Sequence, residues 1–374
     1  MTFEAGDLVA AFSAAGVEFY TGVADSLLAP FNAEIERREG ELTHIPAPNE
    51  GSAVAVAAGY HAASGRVPVV YLQNSGLGNA WNPLVSLTDP GVYGIPMVLV
   101  IGWRGEPGRP DEPQHLLQGE VMLDQLRLLR IPIFEIPSGG ESLADLVETA
   151  VQAAIDRPGP TAIVVRKGDL SGSVDRGDGT VKYSLRRADV IATLLEELPA
   201  DTVFVATTGY AGRELAQLRD ERHEVGVRDL LVVGSMGHAS SIAFGIAVAS
   251  PDTPVCCIDG DGAVAMHTGA LPLIGAERPT NLVHVVINNG VHESVGGQRT
   301  SVRNTDLVGL ARASGYPAAM RCNDADGLRR GLRRVAERPL FLDVAVATGT
   351  LDNLGRPSDL GKRFRRLRES LADD

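Results

Sequence analysis

Short runs of β-branched and other apolar residues alternate along the chain with longer stretches rich in alanine and leucine. The runs that predict strands cover residues 67–72, 97–101, 163–165, 203–206, 255–258, 283–287 and 341–346. Continuous apolar runs indicate strands buried on both faces, and their alternation with helical stretches is typical of parallel sheets covered by helices. The pattern therefore predicts an α/β protein.

One break in this pattern divides the chain into two halves. Between Gly168 and Thr180 the sequence is rich in Gly, Ser and Asp and almost without apolar residues, as exposed linkers are. Each half has its own alternation of strands and helices. We therefore expect two doubly wound parallel-sheet domains, one over residues 1–170 and one over 183–374, joined by a linker over 171–182.

The composition excludes several classes of partner. The 374 residues carry a formal net charge of −13, whereas nucleic acids and anionic membranes require a basic surface on the protein. No apolar run approaches the ~20 residues of a membrane span, and the first thirty residues lack a signal-peptide pattern. The three cysteines have neither metal nor disulfide spacing and are expected to be buried thiols. We expect a soluble, cytoplasmic protein that binds any anionic substrate through local cations.

Two short motifs follow successive predicted strands. Gly260-Asp261-Gly262 comes after the run at 255–258, Asn288-Asn289 ends the run at 283–287, and 28 positions separate Asp261 from Asn289. Because the carboxyl ends of parallel strands meet at one edge of a sheet, these side chains should lie close together. Mg²⁺ prefers oxygen ligands and usually keeps a phosphate among them. The pair predicts a metal-bridged diphosphate, whereas either motif alone is a common turn.

The paired motif resembles the signature of thiamine diphosphate enzymes. The resemblance implies that Asp261 and Asn289 ligate Mg²⁺ through their side chains and Val291 through its carbonyl, with Asn288 in a structural role. It also implies further contacts with the cofactor. These involve Gly260, Gly262 and Ala263 at the first motif, Thr208 and Gly209 after the run at 203–206, and Gly234, Ser235 and Met236 in a turn that holds the aminopyrimidine ring. A helix-capping turn with a core methionine is the alternative for the last three.

Thiamine catalysis needs a carboxylic acid bonded to a ring nitrogen of the aminopyrimidine, so that this ring can move a proton. Pro48-Asn49-Glu50-Gly51 precedes an Ala-rich stretch at 52–64 and resembles the pyrimidine-binding domain of the family. The resemblance implies that Glu50 is the acid. Without it, Glu50 would be better explained as an acidic residue stabilised by the N-terminal dipole of a helix.

The length leaves no room for the central third domain that most members of this family carry. The chain resembles the compact two-domain decarboxylases that act on phosphonopyruvate and, next, on sulfopyruvate, through motifs at 73–79, 102–107, 111–115, 234–240, 289–298 and 354–357. The resemblance implies decarboxylation of 3-phosphonopyruvate to phosphonoacetaldehyde and CO₂, in phosphonate and antibiotic biosynthesis. Sulfopyruvate or a related 2-oxo acid is the alternative substrate.

Two residues are candidates for transferring the proton that replaces the lost CO₂. His115 follows the run at 97–101 and can exchange protons near neutral pH, although a lone histidine is as often structural. Asp25, in Gly22-Val23-Ala24-Asp25-Ser26, resembles an aspartate that assists protonation in pyruvate decarboxylase. A helix N-cap is nearly as good an explanation of Asp25.

A phosphonate group requires charge-assisted donors, preferably the planar guanidinium of an arginine. Arg104, Arg299, His238 and His292 lie within or beside the motifs shared with the family and are the candidate cations. Four polar residues of the same region are expected to contact the substrate as well: Ser26, Gln73, Asn74 and Gln114.

Because Glu50 and Asp261 fall in different domains, the cofactor is expected at a domain interface, which in this family joins two subunits. The resemblance therefore implies a homodimer or a larger even-numbered homo-oligomer with active sites at its subunit interfaces. A nicotinamide dehydrogenase is excluded, because no predicted strand is followed by Gly-x-Gly-x-x-Gly. A regulatory protein that only binds the cofactor stays open. Glu50 discriminates between the two, since a pure binder has no need of it.

Overall fold

The computed structural model describes residues 2–137, 142–174, 183–224, 227–334 and 337–372. By their contacts, these residues form two units. The first contains the described residues up to 174 together with 292–301, and the second contains those of 183–291 and 302–372. Most of the predicted linker, residues 175–182, lies outside the described residues. The segment 292–301, which the sequence places within the second domain, groups with the first unit.

Strands and helices alternate through the first unit. In chain order they are β1 (Phe3–Glu4), α1 (Ala5–Ala14), β2 (Phe19–Gly22), α2 (Ala29–Arg37), β3 (Thr43–Pro46), α3 (Glu50–Ser64), β4 (Val69–Gln73), α4 (Leu77–Pro83), β5 (Met97–Gly102), α5 (Pro113–Leu128), β6 (Ile133–Glu135), α6 (Leu143–Asp156), β7 (Pro160–Val165) and β8 (Leu170–Ser171). Among the described residues, six of these strands form a parallel sheet in the order β3-β2-β4-β5-β7-β6, and β1 pairs with β8.

The second unit repeats this organisation. Its elements are α7 (Arg187–Glu197), β9 (Val203–Ala206), α8 (Tyr210–Glu221), β10 (Asp229–Leu231), α9 (Ala239–Ala249), β11 (Val255–Gly260), α10 (Asp261–Met266), α11 (Ala270–Glu277), β12 (Leu282–Asn288), α12 (Leu307–Ala313), β13 (Ala318–Cys322), α13 (Ala325–Leu332), β14 (Leu340–Ala345) and α14 (Leu360–Ala372). In the described part of this unit, six strands form a parallel sheet in the order β10-β9-β11-β12-β14-β13.

Each sheet is buried on both faces, which explains its continuous apolar strands. In the first unit, α1, α2 and α6 pack on one face of the sheet and α3, α4 and α5 on the other. In the second, α7, α8 and α13 cover one face and α9, α11 and α12 the other. The α/β class with two doubly wound sheets is therefore confirmed. Burial on both faces removes the alternation of polar and apolar positions that a half-exposed strand shows.

Two further expectations concern the whole chain. All three cysteines, Cys256, Cys257 and Cys322, are buried free thiols, as predicted. Across the ranges that the structure describes, no helix has the length and apolar character needed to cross a membrane.

Candidate active site

The two motifs that predicted a metal site follow neighbouring strands of the second sheet. β11 and β12 run side by side with Gly260 opposite Ile287, so Asp261 and Asn288 both lie at the carboxyl edge. Asp261 begins α10 and its side chain is buried. The Asn289 Oδ1 accepts a hydrogen bond from the Val291 N–H at 3.1 Å, and the Asn288 Nδ2 donates to the Asp343 Oδ1 at 3.0 Å. Asn288 thus bonds β12 to β14.

The residues at this edge fit a Mg²⁺ ion and a diphosphate. A carboxylate, a carboxamide and a nearby backbone carbonyl are the oxygen donors that Mg²⁺ takes. Gly209 precedes α8 with φ of 100° and ψ of −139°, a conformation that only glycine adopts readily, and its backbone lies at the helix N-terminus. At the end of β9, the Thr207 Oγ1 is buried and has no hydrogen-bond partner among the described residues. Such an unsatisfied hydroxyl beside a helix N-terminus suits a phosphate oxygen.

The turn after β10 contains the residues expected to hold the aminopyrimidine ring. Ser235 has a positive φ of 40°, which is uncommon for a residue with a side chain and marks a tightly determined turn. Met236 is half-buried, and the exposed His238 ring packs against His267 with 4.1 Å between ring centroids. The His267 Nε2 is buried and has no partner within the described residues. His267 was not predicted, because nothing in the sequence pairs it with His238.

Glu50 is a buried carboxylic acid at the first position of α3. The Asn79 Nδ2 donates to its Oε2 at 2.8 Å, and a Cβ at Gly76 would lie 2.3 Å from its Oε1, so only glycine fits there. Burial raises the pKa of Glu50 above its usual range. The helix is capped instead by Asn49, whose Oδ1 accepts from the Ser52 N–H at 2.8 Å. An acid placed merely to stabilise the helix dipole would be exposed and ionised, so this environment favours the proton-transfer interpretation.

Arg104 connects several predicted residues at the carboxyl edge of the first sheet. Its Nε donates to the Asp111 Oδ2 at 2.8 Å, its Nη2 donates to the Asp111 Oδ1, and its Nη1 donates to the Ser26 Oγ at 3.0 Å. Its backbone exchanges two hydrogen bonds with the Asn74 side chain, at 2.8 and 3.1 Å. Three of the five guanidinium N–H donors are used in these contacts. Within the described part of the chain, the other two donors have no protein partner and can bind a ligand.

The two proton-transfer candidates lie beside this arginine. Asp25 is fully buried, its Oδ2 accepts from the Leu27 and Leu28 N–H groups at 3.0 and 3.3 Å, and Arg104 acts on the carboxyl electrostatically. His115 lies in the first turn of α5, and burial, followed by the charge of Arg104, lowers its pKa. The Asp25 Oδ1 and the His115 Nδ1 are buried without a hydrogen-bond partner in the described part of the chain. Unsatisfied atoms of this kind are expected where a ligand binds.

Burial raises the pKa of Asp25 to about 6, against the opposing charge of Arg104. Because the ionised form is disfavoured in the folded state, this group should reduce the free energy of unfolding as the pH rises from about 4 to about 6. Two pKa units correspond to a loss of up to about 3 kcal/mol. Asp25→Asn should abolish this decrease, as measured by urea unfolding between pH 4 and pH 7. Asp7→Asn, at an exposed position of α1, is the control; an identical decrease in wild type and Asp25→Asn would contradict the prediction.

The other predicted substrate residues are more dispersed. The Gln73 Nε2 donates to the Ser75 Oγ at 2.5 Å, and Gln114 lies half-buried in the first turn of α5. His292 and Arg299 belong to the segment 292–301 of the first unit, where Arg299 is exposed and its charge acts on Glu36 of α2. The structure therefore brings Asp25, Ser26, Asn74, Arg104 and His115 together, and it groups His238 with the second unit.

Besides His267, three residues at these sites were not predicted from the sequence: Asp111, Asn79 and Thr207. Asp111 pairs with Arg104, Asn79 bonds Glu50, and Thr207 carries the unsatisfied hydroxyl. Asp111 lies only seven positions from Arg104, so a search for opposite charges in adjacent loops could have found it. Asn79 is 29 positions from Glu50, and no local pattern indicates that contact.

Comparison with known proteins supports this architecture. Residues 4–128 match the N-terminal TPP binding domain of the thiamine pyrophosphate enzymes, and residues 207–344 match the C-terminal TPP binding domain. Together with two parallel α/β units and their polar sheet edges, these matches define a thiamine pyrophosphate-dependent enzyme.

Individual relatives of the chain indicate which group of thiamine pyrophosphate enzymes it belongs to. The phosphonopyruvate decarboxylase of Streptomyces viridochromogenes is 36% identical over 96% of this chain and 94% of its own length. That of Streptomyces hygroscopicus is 34% identical over 96% and 93%. The sulfopyruvate decarboxylase of Methanosarcina acetivorans is 30% identical over 86% of each chain. The chain belongs to the thiamine pyrophosphate enzyme family, among its decarboxylases, and the predicted resemblance is confirmed.

Proposed function

We propose that the protein decarboxylates 3-phosphonopyruvate to phosphonoacetaldehyde and CO₂, using thiamine diphosphate and Mg²⁺. The observation that carries this proposal is similarity to two phosphonopyruvate decarboxylases along nearly the full length of both partners. The cluster around Arg104, two of whose guanidinium donors bond no other described residue, supports it, because a phosphonate needs charge-assisted donors. The product would enter phosphonate biosynthesis.

The second unit would hold the cofactor. Asp261 and Asn289 supply side-chain oxygens to Mg²⁺ and Val291 its carbonyl. Backbone and hydroxyl groups contact the diphosphate and the aminopyrimidine; they come from Thr208, Gly209, Gly234, Ser235, Met236, Gly260, Gly262 and Ala263. When bound, the cofactor supplies the electron sink for loss of CO₂.

The first unit would supply the acids and bases. Glu50, whose raised pKa favours the protonated form, hydrogen-bonds a ring nitrogen of the aminopyrimidine and exchanges its proton there. Asp25 has a pKa of about 6 and a carboxyl oxygen without a partner among the described residues, so it can deliver a proton to the carbon that lost CO₂. His115, whose Nδ1 is also unpartnered in the described part, is the second candidate.

Since Glu50 and Asp261 belong to different units, we propose that two copies of the chain assemble with their active sites at the subunit interfaces. The expected assembly is a homodimer or a larger even-numbered homo-oligomer. Sedimentation of the holoenzyme measures this directly, and a monomer with full activity would contradict it.

The function is tested by assaying purified protein with Mg²⁺ and thiamine diphosphate on phosphonopyruvate, sulfopyruvate and pyruvate in parallel. Aldehyde and CO₂ are followed together. The proposal requires the highest kcat/KM on phosphonopyruvate. A higher kcat/KM on sulfopyruvate would assign the alternative substrate, and release of no CO₂ from any of the three would contradict the enzymatic proposal.

Neutralising Arg104 should change substrate preference. Arg104→Gln should increase the ratio of the KM for phosphonopyruvate to the KM for pyruvate by about 10- to 100-fold. This factor is equivalent to the ~1.5–3 kcal/mol of a charge-assisted hydrogen bond. His238→Gln tests, by the same ratio of KM values, whether His238 also contributes to recognition of the phosphonate. The measurement is steady-state KM and kcat on both substrates.

Two controls separate recognition from structure. Arg109→Gln removes an exposed arginine of the neighbouring loop, whose ion pair is with Glu106. Arg104→Gln/Asp111→Asn removes both members of the ion pair, so that no carboxylate is left without its cation. If pyruvate and phosphonopyruvate turnover fall in the same proportion in the single and the double variant, Arg104 is a structural residue.

A further inference from the structure

Three buried polar residues of the second unit have no part in the proposed mechanism. Asp259 lies on β11 and His284 on β12, each fully buried, and Tyr316, just before β13, is also buried. Cys257 lies opposite His284 in the strand register, and Asp259 lies two residues further along the same face of β11. Charged and polar side chains in such a core cost free energy unless they bond one another.

These side chains form a continuous chain of contacts. The His284 Nδ1 lies 3.2 Å from the Tyr316 hydroxyl, and its Nε2 lies 3.4 Å from the Asp259 Oδ2. The Asp259 Oδ1 accepts a hydrogen bond at 3.0 Å from the Gly260 N–H. The tyrosine hydroxyl can donate to Nδ1, which places the ring proton on Nε2, facing the carboxylate. Neither the Nε2 nor the Asp259 Oδ2 has a hydrogen-bond partner among the described residues, so their contact at 3.4 Å is electrostatic.

This series of contacts ends at the N–H group of Gly260, the residue before Asp261. Gly260 ends β11 opposite Ile287 of β12, and a Cβ placed at this position would contact nothing within 4 Å, so no side-chain packing holds it there. Glycine loses more conformational freedom on ordering than any other residue. A hydrogen bond that fixes the Gly260 amide therefore lowers the entropy that ligand binding must still remove.

We propose that Asp259, held by His284 and Tyr316, is a positioning residue that orients the Gly260–Asp261 peptide for Mg²⁺ and the diphosphate. This inference rests on the proposed role of Asp261 as a metal ligand. Asp259 itself is fully buried and is not among the residues proposed to contact the cofactor or the substrate.

The same cluster also has the composition of a metal site. Ligand atoms of Cys257, Asp259 and His284 lie within 4.8 Å of one another. Burial, and then the neighbouring Asp259, raises the pKa of the Cys257 thiol well above its usual range, which keeps it protonated. Among the described residues only these three ligand atoms converge, whereas a closed zinc site takes four, and Asp259 and His284 already face each other, so a buried polar cluster is the better explanation.

The test compares Asp259→Asn and Tyr316→Phe with wild type in two measurements. Thiamine diphosphate affinity is measured by calorimetry at fixed Mg²⁺, and hydrogen exchange of residues 259–263 is measured in the apoprotein. Asp259→Asn should raise the Kd by about 10- to 100-fold, the range found for groups that orient metal ligands, and should speed exchange at Gly260. Tyr316→Phe, which removes one hydroxyl, should change both quantities in the same direction by a smaller factor. Cys256→Ala, on the opposite face of β11, should change neither.

Each possible result supports or overturns the inference. Wild-type affinity and exchange in Asp259→Asn would overturn it, as would a lower unfolding temperature with unchanged affinity and exchange. If Asp259→Asn does not fold, Tyr316→Phe decides in the same way. One Zn²⁺ per chain in wild type, lost in Cys257→Ser, would overturn it in favour of a metal site. Failure of the metal assignment is distinguishable, since Asp261→Ala would then keep full cofactor affinity while the exchange at Gly260 still responds to Asp259→Asn.

Discussion

Replacing Glu50 with glutamine should lower kcat by about 10²- to 10⁴-fold, the range assigned to a positioned acid or base. The amide has nearly the shape of the carboxylic acid and can still bond Asn79, which donates to the Glu50 Oε2 at 2.8 Å. It cannot exchange a proton with a ring nitrogen. The fold and cofactor binding should therefore persist while turnover is lost.

The decisive measurement for Glu50 is exchange of the C2 hydrogen of bound thiamine diphosphate. This exchange should be much slower in Glu50→Gln than in wild type, whereas the cofactor Kd stays within a few-fold. Glu120→Gln, an exposed position of α5 in the same unit, is the matched control. Comparable C2 exchange rates in wild type and Glu50→Gln would remove Glu50 from its role, and they would favour a protein that binds the cofactor without using it.

Replacing Asp261 with alanine should abolish cofactor retention at micromolar thiamine diphosphate. The diphosphate is held largely through the metal, so removal of a direct ligand should weaken Mg²⁺ and cofactor together. The loss should be on the order of 100-fold or more, because even residues that only orient metal ligands contribute about 10- to 100-fold. Asn289→Ala should act in the same direction.

Calorimetry of thiamine diphosphate at several Mg²⁺ concentrations measures both affinities in Asp261→Ala. Asp252→Ala, at an exposed position before β11, is the control for general damage to the second unit. A buried aspartate could also be needed for folding, so the unfolding temperature of the apoprotein is measured in parallel. Full cofactor occupancy in a folded Asp261→Ala protein would contradict the metal assignment.

The ion pair of Arg104 with Asp111 changes how substrate recognition should be understood. The sequence presents Arg104 as a free cation, whereas its charge is partly compensated and its guanidinium is oriented by Asp111 and Ser26. A pre-oriented arginine loses less freedom when it binds a phosphonate. The Asp111 carboxylate, in turn, reduces the attraction between Arg104 and an anionic substrate at long range. Selectivity for the phosphonate should therefore come from short, directed hydrogen bonds.

Local pattern was enough to predict the fold class and the polar sheet edges. Apolar runs bounded by glycine and polar residues indicate buried strands wherever they occur, and a parallel sheet places the residues after its strands at one edge. The positions of Arg104 and Asp261 at such edges follow from this, whereas β2 (Phe19–Gly22), which precedes Asp25, was not among the predicted strands. The neighbourhood of Asp261 and Asn288 also follows, because consecutive strands often pair.

The sequence by itself determined the α/β class, the two halves and the spacing of the Asp and Asn motifs, since each of these depends on residues close together in the chain. The tertiary structure alone decided which groups are buried and which bond one another. The raised pKa of Glu50, the unsatisfied hydroxyl of Thr207 and the contacts among Asp259, His284 and Tyr316 all arise between elements that are distant in sequence. Such contacts depend on strand order, register and side-chain packing, and no local pattern of polar and apolar residues encodes them.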